Sequence, residues 1–360
     1  MSLLEQDQRR GYDSFQRMAF FTDTSICIGC KACEVACKEW NRNPVEGYAL
    51  SGDSYDNTGS LGANTWRHVA FIEQDETRID SAREEGRQLV SLGLPGLKPQ
   101  DAPAAEEDLT PPDTDDFRWL MSSDVCKHCT NAGCLDVCPT GALFRTEFET
   151  VVVQDDVCNG CGTCVAGCPF GVIDRRDDGG VTIKSDRDGA TTAEVAAEGP
   201  DAHAGINVLA KLMQLKKQGP DHVPGEKMPI KNIGMAQKCT MCYDRLKIGE
   251  QPACSKACPT TSIAFGTYED MLAQARERVA QLHAQGLTEA RLYGANPDDG
   301  VGGTGSIFLL LDSPEVYGLP PDPQVPTKEL PQMFKTAVKA VAGMAGVMAG
   351  AFVMTGGRHG

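Results

Sequence analysis

The sequence predicts an α+β chain in which two small cysteine-rich modules carry large polar loop insertions and a helix closes the C-terminus. Three observations predict it. The sixteen cysteines gather into four groups of four, with short β-like runs beside them. Two long stretches between the groups are too polar to build a core. The residues near the C-terminus form an uncharged run rich in Ala and Gly.

Composition sets the bounds. The chain has 360 residues and a net charge of −16, which argues against nucleic acid as a partner, because phosphate binding needs clustered Lys and Arg. Hydrophobic residues reach 41%, enough for a core, but aromatics only 6%, so metal ligation is expected to supply part of the stability. The N-terminus has no apolar run of the secretory type, and Arg9-Arg10 without a following apolar stretch reads as part of a solvated arm.

Residues 1–22 read as that arm. After the first cysteine group, a Gly/Asn/Ser-rich loop runs to about Ala63, and TWRHVAFIE (65–73) alternates as a strand does. Between Lys98 and Arg118 lie seven acids, Pro103, Pro111 and Pro112, and no base, which reads as a solvated insertion. FRTEFETVVVQ (144–154) gives a hairpin signal centred on residues 151–153. In the polar stretch that follows, Ile206, Leu209, Leu212 and Met213 have the spacing of a surface helix. TYEDMLAQARERVAQLHAQG opens on Thr267 and Asp270 as a capping box and closes at Gly286. Met271, Leu272, Ala275, Val279 and Leu282 form its apolar face. SIFLLLD (306–312) reads as a buried strand and GLPPDPQVP as a rigid extended linker. Residues 340–355 carry no charge. They are short for a membrane span, and Gly346 and Gly350 suit close packing on another helix, so a single membrane helix packed on a partner is expected.

The cysteines carry the chemistry. Cys27, Cys30, Cys33 and Cys37 are spaced C-x2-C-x2-C-x3-C, and Cys158, Cys161, Cys164 and Cys168 repeat that spacing before Pro169. This is the bacterial ferredoxin run, in which the fourth cysteine ligates the other cluster of a pair. Cys126, Cys129, Cys134 and Cys138 before Pro139, and Cys239, Cys242, Cys254 and Cys258 before Pro259, keep the terminal C-x3-C and lengthen the interval ahead of it. Disulfides do not explain four cysteines within eleven residues at 27–37 and again at 158–168. The last group alone fits a zinc site, but beside the other three it reads as a fourth cluster. Gly29, Ala32, Gly160, Gly162 and Gly167 allow backbone amides to approach sulfur, which a zinc site does not need. His128, beside Cys129, reads as a supporting neighbour because the cysteine set is already complete. Four full quartets leave no open iron, and closed clusters transfer electrons. No nucleotide loop, radical-enzyme motif or nucleophile constellation is present, so no catalysis is expected of this chain alone.

CIGCKACEVACKEWN (27–41), CKHCTNAGCLDVCPTGAL (126–143), CNGCGTCVAGCPFGV (158–172), CTMCYDRLKIGEQPACSKACPTTSIAFGT, GVGGTGSIFLLLD (300–312) and PEVYGLP (314–320) resemble the four-cluster iron–sulfur subunits of the molybdopterin oxidoreductase (DMSO reductase) family. Within it they are most similar to the beta subunits of respiratory formate dehydrogenases. The resemblance implies two bacterial-ferredoxin-like dicluster modules, four 4Fe–4S clusters and crossed ligation. Cys27, Cys30, Cys33 and Cys258 would hold cluster 1, and Cys37, Cys239, Cys242 and Cys254 cluster 2. Cys126, Cys129, Cys134 and Cys168 would hold cluster 3, and Cys138, Cys158, Cys161 and Cys164 cluster 4. The four clusters would form a line.

The organisation expected is an arm at 1–22 and an outer module at 23–74 and 236–312, with an acidic insertion at 75–118. An inner module spans 119–174, a polar insertion 175–235, a linker 313–333 and the C-terminal helix 334–356. The resemblance further implies a molybdopterin (Mo/W) catalytic subunit, which oxidises formate, and a membrane cytochrome b-type partner that passes electrons to quinone. It implies a place at the cytoplasmic membrane, on the extracytoplasmic face by co-export with the catalytic subunit. Lys335 and Lys339 ahead of the helix favour the cytoplasmic face instead. The same wire would serve a polysulfide or thiosulfate reductase or a hydrogenase.

Overall fold

In the computed structural model the described residues are 16–44, 58–92, 117–176 and 232–356. In chain order the elements begin with β1 (Met18–Asp23), α1 (Ala32–Asn41), β2 (Arg67–Asp75), α2 (Glu76–Ser91) and β3 (Phe117–Val125). A second, smaller set follows: α3 (Gly133–Asp136), β4 (Leu143–Arg145), β5 (Val151–Val153), α4 (Thr163–Ala166), β6 (Asp174–Arg175) and β7 (Ala236–Gln237). The chain then forms α5 (Tyr243–Leu246), α6 (Ala253–Ala257), β8 (Ile263–Thr267), α7 (Tyr268–Ala284), β9 (Arg291–Tyr293), β10 (Ser306–Leu310) and α8 (Leu330–Gly356).

The run MAFF opens an inner strand of the main sheet. Every residue of β1 is buried, as a strand apolar on both faces requires. β10 lies parallel to it on one side and β8 antiparallel on the other, and β9 pairs with the outer edge of β10. Helix α7 covers this sheet with Met271, Ala275, Val279 and Leu282, one stripe at helical spacing. The hydroxyl of Thr267 accepts from the Asp270 amide (3.2 Å) and donates to the Asp270 carboxylate (2.8 Å), so the expected cap is present.

Strands β2 and β3 form a nine-residue antiparallel ribbon from Arg67↔Val125 to Asp75↔Phe117. It packs on the first cysteine loop through Phe71, Met121 and Ser123. β4 and β5 make the expected hairpin over residues 151–153, and β6 and β7 join the inner module to the chain that returns after residue 231.

Three boundaries differ from the sequence reading. Residues 18–22 belong to the central strand and not to an arm. Their apolar run has no alternation to mark it, because both faces are covered. The segment 75–118 is not all insertion, since residues 76–91 form α2 and Phe117 already starts β3. Helix α2 packs only the narrow stripe Ile79, Ala82, Arg83 and Gly86, so its composition reads as polar. The acidic run itself, and the helix expected at 206–217, lie outside the described residues. The linker at 313–333 is anchored by buried Tyr317, Leu319 and Val325, and the last helix begins at Leu330.

The expected membrane span falls on that helix, whose 27 residues reach about 40 Å. Among the described residues, no helix is both long and apolar enough to cross a membrane. Met333, Phe334, Val338, Val341, Met344 and Val347 stand exposed on it.

Candidate metal centres

All four quartets open on the same turn. The second residue between the first two cysteines takes left-handed backbone each time: Gly29 (φ 63°), His128 (45°), Gly160 (72°) and Met241 (57°). Such a turn aims successive amides at one point, the arrangement that cradles anionic clusters. At Gly29 only glycine fits, because a Cβ would stand 2.6 Å from a Phe71 ring carbon. His128 and Met241 adopt the same conformation against a cost of about 1 kcal/mol each. Both are buried, and His128 Nδ1 accepts the Val151 amide at 3.1 Å.

The terminal C-x3-C rides on a short helix. Proline after Cys138, Cys168 and Cys258 leaves α3, α4 and α6 only four or five residues long. Cys37 precedes Lys38 instead, and α1 runs on to Asn41. Helices α3 and α4 cross at Gly133 and Gly167, where a Cβ on Gly133 would lie 2.5 Å from the Gly167 carbonyl.

Strand pairing then decides which cysteines meet. β1 ends at Asp23, just ahead of Cys27, and β8 begins at Ile263, just after Cys258. Their antiparallel register Thr22↔Ile263 puts both cysteines at one end of the sheet. The Asp23 carboxylate, held by Arg278 of α7 at 2.9 Å, caps the turn that leads to Cys27. In the inner module the pair Leu143↔Val153 likewise brings the chain before β4, with Cys138, beside the chain after β5, with Cys158. Helix α1 meets α6, bringing Cys37 toward Cys254. Trp40 Nε1 donates to Asp244 at 2.9 Å, and the Arg245 guanidinium lies 4.2 Å above the Trp40 ring.

Two cavities result. One is lined by Cys27, Cys30, Cys33 and Cys258, and one by Cys126, Cys129, Cys134 and Cys168. None of the sixteen cysteines is in a disulfide. Among the described residues no three His, Cys, Asp or Glu are placed to hold a single metal ion.

Electrostatics trace the remaining neighbours. Burial pushes the Cys33 thiol up to about 11 and Cys164 to about 11, with Cys254 and Cys158 respectively adding nearby negative charge. Burial raises Cys37, and Cys239, Cys254 and Cys242 raise it further. Burial also raises Cys239, on which Cys126 is the strongest charge. Cys134 rises to about 12 through burial, with Cys126, Cys168 and Cys164 adding to it and Lys238 opposing. Cys161, at the surface, is instead lowered by the Thr163 hydroxyl at 3.2 Å. Buried thiols of this kind give up their protons when they bind metal cations such as the irons of a cluster.

Among the described residues His128 Nε2 and Arg67 Nε and Nη2 are buried and find no acceptor, and His128 lines the second cavity. The residues present therefore fit four 4Fe–4S clusters. The sequence reading missed three fully buried cations beside the quartets: Arg67, Lys127 and Lys238. Lys127 and Lys238 directly adjoin cysteines, which was a legible signal. Lys127 Nζ lies 4.9 Å over Phe308 and bonds Asp124, and Lys238 Nζ bonds the Val151 carbonyl. Arg67 showed only as a base on the inward phase of a strand.

Comparison with known proteins agrees with this geometry. Two family profiles, both described as 4Fe–4S dicluster domain, match residues 26–142 and residues 117–197 with 205–268. The chain is 32% identical to the iron–sulfur subunit of the nitrate-inducible formate dehydrogenase of Escherichia coli K12, over 97% of this chain and 87% of that one. It is 31% identical to the formate dehydrogenase iron–sulfur subunit of Haemophilus influenzae, over 91% and 76%. It is 25% identical to the selenate reductase subunit beta of Thauera selenatis, over 93% and 92%. With four cysteine quartets on ferredoxin-like turns and this likeness along almost its whole length, the chain belongs to the family of formate dehydrogenase iron–sulfur subunits, electron-transfer proteins that carry four 4Fe–4S clusters.

Proposed function

We propose that this chain conducts electrons from a molybdopterin-containing catalytic subunit that oxidises formate to a membrane cytochrome b-type partner. The observation that carries the reading is the cavity formed by Cys27, Cys30 and Cys33 with Cys258, which are far apart in sequence. On this reading Cys27, Cys30, Cys33 and Cys258 hold cluster 1, and Cys37, Cys239, Cys242 and Cys254 hold cluster 2. Cys126, Cys129, Cys134 and Cys168 hold cluster 3, and Cys138, Cys158, Cys161 and Cys164 hold cluster 4. Bound clusters supply one-electron redox centres.

The neighbours support a single line. Cys254 acts by its charge on Cys33, Cys126 on Cys239, and Cys164 on Cys134, a succession of neighbours that runs from cluster 1 to cluster 4. Cys30 and Cys161, the two exposed cysteines, fall at opposite ends. Each end is thus open to a partner while the middle is shielded. Helix α8, whose described side chains are exposed, contacts the membrane partner, and the cluster modules face the extracytoplasmic side by co-export.

The tests are direct. Protein purified anaerobically with its partner should hold about sixteen irons per chain, and formate should bleach the cluster absorbance. Substantially less iron, with zinc in its place, would overturn the cluster assignment. Reduction by a different donor and not by formate would support the likeness to the selenate reductase subunit instead. Protease resistance of the cluster modules in spheroplasts would rule out the extracytoplasmic placement.

A further inference from the structure

Arg67 is the largest fully buried side chain in the fold, at 1% exposure. It projects from the start of β2, with its guanidinium 4.9 Å above the Phe20 ring. Nη1 donates to the Ser123 carbonyl (3.2 Å) and to the Ser123 hydroxyl (2.9 Å). Nε and Nη2 have no protein acceptor, and among the described residues no carboxylate pairs with it. A buried cation without a counter-charge is costly, so the site needs negative charge from elsewhere. Cys254, Cys33, Cys239 and Cys37 are near enough for their charge to act on it. Those four cysteines come from both outer quartets.

Ser123 extends the contact in one direction. Its hydroxyl has a single proton, and its oxygen already accepts from Arg67. Cys33 Sγ lies 3.2 Å away. A metal-bound thiolate has no proton to give, so Ser123 is the donor to Cys33. That hydrogen bond is charge-assisted at its thiolate acceptor, and the separate bond from Arg67 to the Ser123 hydroxyl is charge-assisted at its donor.

We infer that Arg67 and Ser123 set the reduction potentials of the two outer clusters, Arg67 raising both through its buried charge and Ser123 raising the Cys33 side alone. This rests on the ligand assignment proposed above. Each cluster gains one electron, no bond is made or broken, and Arg67 keeps its proton throughout. A fixed positive charge and a hydrogen bond to sulfur both favour the more negative, reduced state. Neither residue need touch a substrate or a partner; both are positioning residues for the electron.

The test is an EPR-monitored redox titration of the complete complex, with dithionite and ferricyanide, for wild type, Arg67→Gln, Arg67→Lys and Ser123→Ala. Arg67→Gln should lower both outer midpoints by the equivalent of at least tenfold in the one-electron equilibrium, about 59 mV. Arg67→Lys should restore most of that shift. Ser123→Ala should lower one outer midpoint, and the inner two should stay in place with full iron. Wild-type midpoints in both Arg67→Gln and Ser123→Ala at full iron would overturn the proposal. So would an equal shift of all four signals. Should Arg67→Gln lose iron, Ser123→Ala decides: one lowered midpoint supports the pair, and none refutes it. A wild-type complex with fewer than four cluster signals would instead overturn the ligand assignment beneath it.

Discussion

At the scale of single residues, each quartet depends on positions that look incidental in the sequence. Cys258 illustrates this, because the three other cysteines around its cavity lie more than two hundred positions away. Cys258→Ala should remove about four irons and one EPR signal while the inner-module signals persist, since the inner hairpin closes its own quartets. Loss of all iron would show that the modules assemble as one unit. Gly29 is similarly constrained by Phe71 and Met121. Gly29→Val should destabilise by roughly 3 kcal/mol through overpacking and left-handed strain, read as a lower thermal midpoint. The cysteines were legible because their meaning lies in local spacing. Arg67 was not, because a base in an alternating strand shows its burial only once β2 and β3 pair above Phe20.

At the scale of elements, local signals succeeded where one face meets solvent. Helix α7 shows its cap, its stripe and its stop in sequence, and Thr267→Ala should cost about 1 kcal/mol in chemical unfolding. The hairpin β4–β5 was equally plain. Strand β1 was not, since a strand covered on both faces has no period to read. Helix α2 failed for the opposite reason, as it buries one narrow stripe and is otherwise charged. That stripe is tight: a Cβ on Gly86 would lie 2.4 Å from the Thr288 carbonyl. Gly86→Val should therefore destabilise by about 2 kcal/mol, with little change in iron content, because α2 holds no cysteine.

At the scale of the whole molecule, the two modules interlock. The Met18 amide donates to the Phe148 carbonyl (3.1 Å), the Ser306 hydroxyl to the Cys126 carbonyl (2.9 Å), and Cys129 bridges Thr304. The outer sheet therefore braces the inner cysteines. Helix α8 stands apart from this frame. Removing residues 330–360 should leave iron content and midpoints unchanged and, on the proposed function, abolish co-purification with a cytochrome b-type partner. A drop in iron would instead give the helix a role in folding.

Sequence by itself determined the number of quartets, the cluster type they suit and the family to which the chain belongs. All of these rest on spacings of a few residues, where geometry is covalent and local. Tertiary structure alone decided that Cys258 stands by Cys27, that Cys126 neighbours Cys239, and that Arg67 sits between the outer quartets. Those meetings depend on the antiparallel register of β1 with β8 and on the β2–β3 ribbon. Strand register is set by long-range burial, which no short stretch of sequence contains.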